Sequence, residues 1–329
     1  MLDRADSQGI QSLPSAAPAA FPAWARAKNP PESDAEAAFL AGAALSCLDA
    51  VVRENPPWAG VFRRRLALGA AAANVRRAGR TEDEGALRDA FHLTRPGADP
   101  GPAGRRLIAW RELSARSAGQ WRSSFHAAAA VLGVPQDGAL QEAIDAAEGC
   151  AGRNRPAPFA AAQVFGLARR ALTPGARRPS FGARGGEGEP LAAWLADSVL
   201  AQRLRWPFAL PLLAAPLFAG GGRRAGGDVA GGAEGAIVFA YAKGAARACD
   251  LSAELGRRAQ TLQDAAPKLR AKGAGAAVQA LLDDDSLSAS SKIGGQISER
   301  GARRLFDRLV SLGAVRELTG RATFRLYGL

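Results

Sequence analysis

The sequence predicts a mainly α fold: a multi-helix body followed by a small C-terminal winged helix with a β-hairpin. Three observations carry that expectation. Alanine and leucine dominate a chain with only 6% aromatic residues, and such a composition favours helices. β-Branched residues are sparse before the C-terminus. The stretch from Ser286 to Leu329 reads as a short helix, a turn, a basic amphipathic helix and a two-stranded hairpin. That is the order of a winged helix-turn-helix, which usually lays its second helix in a DNA groove.

At 329 residues the chain is long enough for two or three domains with real cores. Residues 1–32 are expected to be a disordered lead-in, Pro/Ala-rich from Leu13 to Lys28. With no basic start followed by an apolar core, a secretory signal is not expected. Residues 33–172 form a helical domain. Ser33 with Glu36 makes a capping box that opens a helix to about Arg53, with Phe39, Ala43, Leu48 and Val51 as core candidates. Asn55-Pro56-Pro57 ends it, and a second helix runs from about Trp58 to Arg77. Thr81 with Glu84 makes another capping box, for a short helix toward His92. After the loop from Arg95 to Pro102, one long helix is expected from about Ala103 to Leu132, marked by Leu107, Trp110, Leu113, Trp121 and Phe125. Two more follow near Ala139 to Glu148 and Pro158 to Leu172.

Residues 173–189 read as a Gly/Pro/Arg linker. Residues 190–270 form a helical segment that packs on the body. In it, Pro190 opens a helix with Leu191, Trp194, Leu195, Val199 and Leu204 inside. A Gly-rich loop at 220–235 precedes a long helix from Ala236 to about Gln263, bearing Ile237, Phe239, Tyr241, Leu251 and Leu255. Lys268 to Gly275 is a basic connector.

Residues 271–329 are the expected winged helix-turn-helix, with Ala276 to Asp284 supplying its first helix. In the basic helix, Ala302, Leu305, Phe306, Leu309 and Leu312 recur at the spacing of a buried stripe. Arg300, Arg303, Arg304, Asp307, Arg308 and Ser311 take the remaining surface. Ser298 suits the N-cap and Gly313 the left-handed residue past the C-cap. Val315 to Leu318 and Thr323 to Tyr327 are rich in strand formers, and Thr319-Gly320-Arg321 between them suits a hairpin turn.

Charge points the same way. The whole chain carries 43 Lys and Arg against 31 Asp and Glu, a net +12. From Ser286 to Leu329 there are eight cationic against three anionic side chains. Cations that contact phosphates release condensed counterions, so such a surface favours DNA in a salt-dependent way. The DNA-binding set is therefore Lys292 at the preceding turn, Ser298 at the helix start, Arg300, Arg303, Arg304 and Arg308 on the helix, and Arg321 and Arg325 on the wing. The alternatives are an arginine-rich solvated helix face and a winged helix used only for packing against protein.

Catalytic groups are scarce. His92 and His126 have no HExxH-type partner, no serine sits in a GxSxG elbow, and Gly220 to Gly235 lacks the phosphate-cradling GxxxxGK[ST] pattern. Asp283-Asp284-Asp285 is a run of acids expected to be solvated at a helix end. Cys47, Cys150 and Cys249 form neither a disulfide framework nor a metal cluster, which fits buried thiols in a reducing cytoplasm. No cofactor or metal is expected. The longest apolar run, Trp206 to Gly220, is too short and too proline-rich to span a bilayer.

Three blocks carry a resemblance: LAAWLADSVLAQRLRWPFALPLLA at Leu191–Ala214, PKLRAKGAGAAVQALLDDDSLSAS at Pro267–Ser290, and ISERGARRLFDRLVSLGAVRELTGRATFRLYGL at Ile297–Leu329. They resemble blocks of an uncharacterised alphaproteobacterial domain-of-unknown-function family, often found on large replicons. The resemblance spans nearly the whole chain and implies a soluble bacterial protein, but no activity. LVSLGAVRELTGRATFRLY is also similar to the winged-helix tails of some Fic-type nucleotidyl transferases. Their HPFxxGNGR-like motif is absent here, so that catalysis is not implied.

The expectation is thus a non-enzymatic DNA-binding or DNA-associated regulatory protein, with a body that dimerises or senses a protein partner. Two alternatives are a protein-interaction or scaffold module in a chromosome- or plasmid-maintenance complex, and an enzyme on the helical body near Arg105, Glu112 and His126.

Overall fold

The computed structural model describes residues 20–329 apart from 28, 96, 116, 152–153, 174–187, 219–231, 270, 272, 292 and 294–296. The described residues form twelve α-helices. The body comprises α1 (Asp34–Glu54), α2 (Ala59–Arg77), α3 (Glu84–His92), α4 (Gly101–Ala115), α5 (Trp121–Leu132), α6 (Gly138–Ala151) and α7 (Ala157–Leu172). It continues through α8 (Gly188–Leu204), α9 (Ala214–Phe218) and α10 (Gly232–Ala265). The C-terminal unit holds α11 (Ala274–Asp283), α12 (Glu299–Ser311), and the strands β1 (Leu287–Ser288), β2 (Arg316–Glu317) and β3 (Leu326–Gly328).

Local sequence sets most of these boundaries. The Ser33 hydroxyl accepts the Glu36 N–H at 3.2 Å, and the Glu36 carboxylate reaches back to the Glu32 N–H at 2.8 Å. Asn55 closes α1 in a left-handed conformation, φ 45°, one of the few residues that tolerates it. For α3 the cap is Asp83, whose carboxylate accepts the Ala86 N–H at 2.8 Å. The expected box starting at Thr81 does not form, because a carboxylate stands closer to the free N–H groups.

The body has α8 at its centre. Every residue from Gly188 to Ala201 is buried, as an alanine- and leucine-rich helix without a polar stripe requires. It lies against α7, α6 and α5, while α10 runs along α1 and α2 packs on α4. The expected 173–189 linker is thereby shortened. Residues 174–187 lie outside the described set, but Gly188 and Glu189 already belong to α8, and Glu189 accepts from Arg77 Nε at 3.0 Å. Similarly, 232–235 of the expected Gly-rich loop is helical, and 219–231 is outside the described residues.

Two further expectations are corrected. The single helix over 103–132 is two, because Ser117 leaves the helix to bridge Phe208 and the Ala118 N–H donates to the Pro207 carbonyl at 2.7 Å. Phe39 is 60% exposed. The buried face of α1 runs through Ala37, Ala41, Ala44, Leu48 and Val51, and two residues on from Ala37 is about 200° round the helix. By length and composition alone α1 could cross a membrane, and among the described helices it is the one that could; here its inner face is buried along α10, as in a core helix.

Candidate nucleic-acid interface

The C-terminal unit is built on a three-stranded antiparallel sheet of order β1-β3-β2, with Leu287 opposite Tyr327 and Arg316 opposite Gly328. β1 replaces the short helix expected there. Its serines satisfy their own backbone: the Ser288 N–H donates to the Ser291 hydroxyl at 2.9 Å, and the Ser288 hydroxyl meets Ser290 and Ser291 at 3.0 Å. Such local bonds compete with a helix.

On this sheet lies α12. Its Ala302, Leu305, Phe306 and Leu309 are buried, and Phe306 stacks on Tyr327 with ring centroids 4.5 Å apart. Leu312, expected in the same stripe, is only partly buried and forms the C-cap. Ser298 is the N-cap, its hydroxyl accepting the Gly301 N–H at 3.2 Å, and Gly313 follows the cap at φ 68°.

The hairpin between β2 and β3 is shorter in its strands and longer in its loop than expected. Phe324 adopts φ 55° and is 72% exposed, so Thr323 and Phe324 leave the extended run. Glu317 organises the loop, its carboxylate accepting from the backbone N–H of Thr319 at 2.9 Å and of Gly320 at 2.8 Å, and from the Thr319 hydroxyl.

The expected DNA-binding side chains divide into two groups. Arg303 is ion-paired with Glu299 one turn away, and Arg321 with Asp89 of α3. Arg325 donates through Nε to the Arg321 carbonyl at 2.9 Å and lies 3.8 Å from Asp307. All three remain at least 46% exposed in their side chains, and exposed pairs contribute about 0–1 kcal/mol, so an incoming anion can compete for them. Arg300, Arg304 and Arg308 form a second group, one stripe at i, i+4, i+8. They are exposed, and none makes an ion pair with another described residue. Lys292 lies outside the described residues.

What sequence reading missed is the clamp that fixes this unit to the body. Asp284 and Asp285, expected to be solvated, are its core. Arg88 of α3 donates to both Asp285 oxygens, at 2.7 and 3.2 Å, and Arg65 of α2 is ion-paired with the same carboxylate. Arg111 of α4 grips Asp284 in the same two-pronged way, at 2.9 and 2.7 Å, and stacks over Phe91. Arg65 also donates to the Leu329 carbonyl at 2.7 Å. His92 meets the Ser286 hydroxyl at 2.9 Å. Burial alone would raise the Asp285 pKa, but the Arg88 hydrogen bonds and the fields of Arg65, Arg88 and Arg111 hold it below the ordinary value. Burial lowers that of His92, and Arg111 and Arg88 add to the effect against Asp284 and Asp285. No spacing rule announces this network, since its arginines come from three helices almost two hundred residues upstream.

Two of the residues suggested for catalysis have separate local partners. Arg105 pairs with Asp99 at 2.7 Å, and His126 Nδ1 meets Gln136 at 2.6 Å. Among the described residues no group of three or more His, Cys, Asp or Glu could hold a metal.

No curated protein and no solved structure matches this chain. A family model described as "Protein of unknown function (DUF1403)" matches residues 11–329. That covers nearly the whole chain, so the helical body and the clamped C-terminal unit together belong to the DUF1403 family.

Proposed function

We propose that the C-terminal unit is a winged helix-turn-helix and that the protein is a non-enzymatic, DNA-binding regulatory protein. The observation that carries this is the stripe of Arg300, Arg304 and Arg308, exposed and with no ion pair to another described residue, on a helix whose opposite face is packed. Like charges at i, i+4 destabilise a helix by roughly 0.2–0.5 kcal/mol per pair, a cost that an anionic partner removes. The order α11-β1-α12-β2-β3, with β3 between the other strands, supports the winged-helix assignment, in which α12 is the recognition helix and the 318–325 loop the wing. Arg303, Arg321 and Arg325 then supply phosphate contacts by exchanging internal carboxylates for DNA. Cys47, Cys150 and Cys249 are in no disulfide, and the last two are buried, which suits a reducing cytoplasm. The body takes a second copy or a protein partner, and Phe39 on the outer face of α1 offers it an apolar contact.

A second reading, a protein-docking module, is favoured by Phe324, a large apolar side chain held outward at the wing. A mobility-shift titration with duplex DNA at low salt separates the two. DNA binding by the intact protein, weakened in Arg304→Ala, supports the first. A protein that ignores DNA at low salt yet forms a hetero-complex lost in Phe324→Ser supports the second.

A further inference from the structure

A second cationic feature lies apart from the α12 stripe, in the open groove between α10 and β2. Arg257, Arg258 and Thr261 line it from α10 and Arg316 from β2, with Glu254 as the one carboxylate among the lining residues, around a volume of about 320 Å³. Arg257 and Arg316 are exposed, and neither guanidinium makes an ion pair with another described residue. Arg258 is more enclosed, its side chain 19% exposed, and it takes Glu254 as partner. Burial lowers the Arg258 pKa, and repulsion from Arg316 and Arg65 adds to that against the attraction of Glu254.

Three guanidinium groups facing one carboxylate leave the groove with uncompensated positive charge. Each guanidinium presents planar, forked donors that match a tetrahedral oxyanion. The volume is near the lower end, about 300 Å³, of ligand-binding clefts. No aromatic or aliphatic residue is among the lining residues to hold a base. We propose that this groove binds a small phosphate-type anion, free phosphate or a phosphomonoester, and that the ligand bridges the body at α10 to the C-terminal unit at β2.

Isothermal titration of the intact protein at constant ionic strength tests this, with inorganic phosphate in one arm, glycerol 3-phosphate in the other and chloride as the blank. We expect saturable binding of at least one probe. In both Arg257→Ala and Arg316→Ala it should be roughly tenfold weaker, the size of one charge-assisted hydrogen bond, and in Arg304→Ala unchanged. The stronger probe identifies the form of the ligand. Arg257 projects from a helix surface, so its variant keeps the test valid even if β2 tolerates no change at 316. No saturable heat with either probe, equal affinity in wild type and both groove variants, or the same loss in Arg304→Ala would overturn the proposal. Because Arg300, Arg304 and Arg308 do not line the groove, failure here leaves DNA binding through α12 standing, and the reverse.

Discussion

At the scale of single residues, two buried carboxyl groups, Asp285 and Asp197, and the half-buried His92 shape how the protein responds to pH and substitution. Asp285 pairs with Arg65 and Arg88 at once. In Asp285→Ala both cations remain enclosed without it, and breaking such a buried pair costs about 3–5 kcal/mol. Urea denaturation should show that loss, whereas a fall below about 1 kcal/mol would mean that the clamp contributes little. His92 titrates at a lower pH in the fold than its ordinary 6.5. The unfolded chain therefore binds the proton first, and stability falls as pH drops through 6.5 and below. His92→Gln should flatten the melting temperature between neutral pH and the range where carboxylates titrate; an unchanged profile would exonerate His92. Asp197 behaves in the opposite sense. Enclosed in α8, its carboxyl is pushed well above the usual range by burial, and the Leu213 N–H approaches Oδ2 at 3.5 Å. Burial disfavours the ionised carboxylate, so this site costs stability as pH rises above the ordinary carboxylate range. Asp197→Asn should therefore raise the melting temperature at neutral pH, and a decrease there would show that the charge is needed. None of these three roles was legible in the sequence. A buried acid in AAWLADSVLA reads as one polar face of a helix until its neighbours are in place.

At the scale of elements, apolar spacing and local caps were good guides within a helix, and contacts between elements were the part they could not show. α12 was legible apart from Leu312, which caps the helix instead of completing its buried stripe; the rest of its apolar spacing, the Ser298 cap and the Gly313 stop all agree. Both α4 and α5 carry the expected apolar markers, yet their separation comes from Pro207 and Phe208, far along the chain. β1 was invisible for a related reason: two residues of strand, paired with Tyr327 and Leu326, have no pattern of their own. Close approach between elements was equally hidden. A Cβ at Gly60 of α2 would lie 2.6 Å from the Asp283 Cα at the end of α11. We therefore expect Gly60→Ala to destabilise the protein by about 1–3 kcal/mol, the usual range for overpacking. A melt indistinguishable from wild type would mean that α2 and α11 can slide apart freely.

For the whole molecule, the net charge of +12 is a weaker guide than the placement of its arginines. Many are absorbed internally: Arg65, Arg88 and Arg111 hold the C-terminal unit, and Arg77 holds the start of α8. The clamp ties the start of the C-terminal unit to the body through Asp284 and Asp285. The choice of which arginines are spent internally was unreadable from sequence, because it depends on helices that meet only in the fold. The most direct measurement is fluorescence anisotropy of a labelled DNA duplex across a salt series, comparing wild type with Arg300→Ala/Arg304→Ala/Arg308→Ala. We expect the triple variant to bind more weakly and to lose roughly 2–3 units from its log–log salt slope, about one per phosphate contact removed. Identical slopes and affinities for the two proteins would contradict a DNA-facing α12.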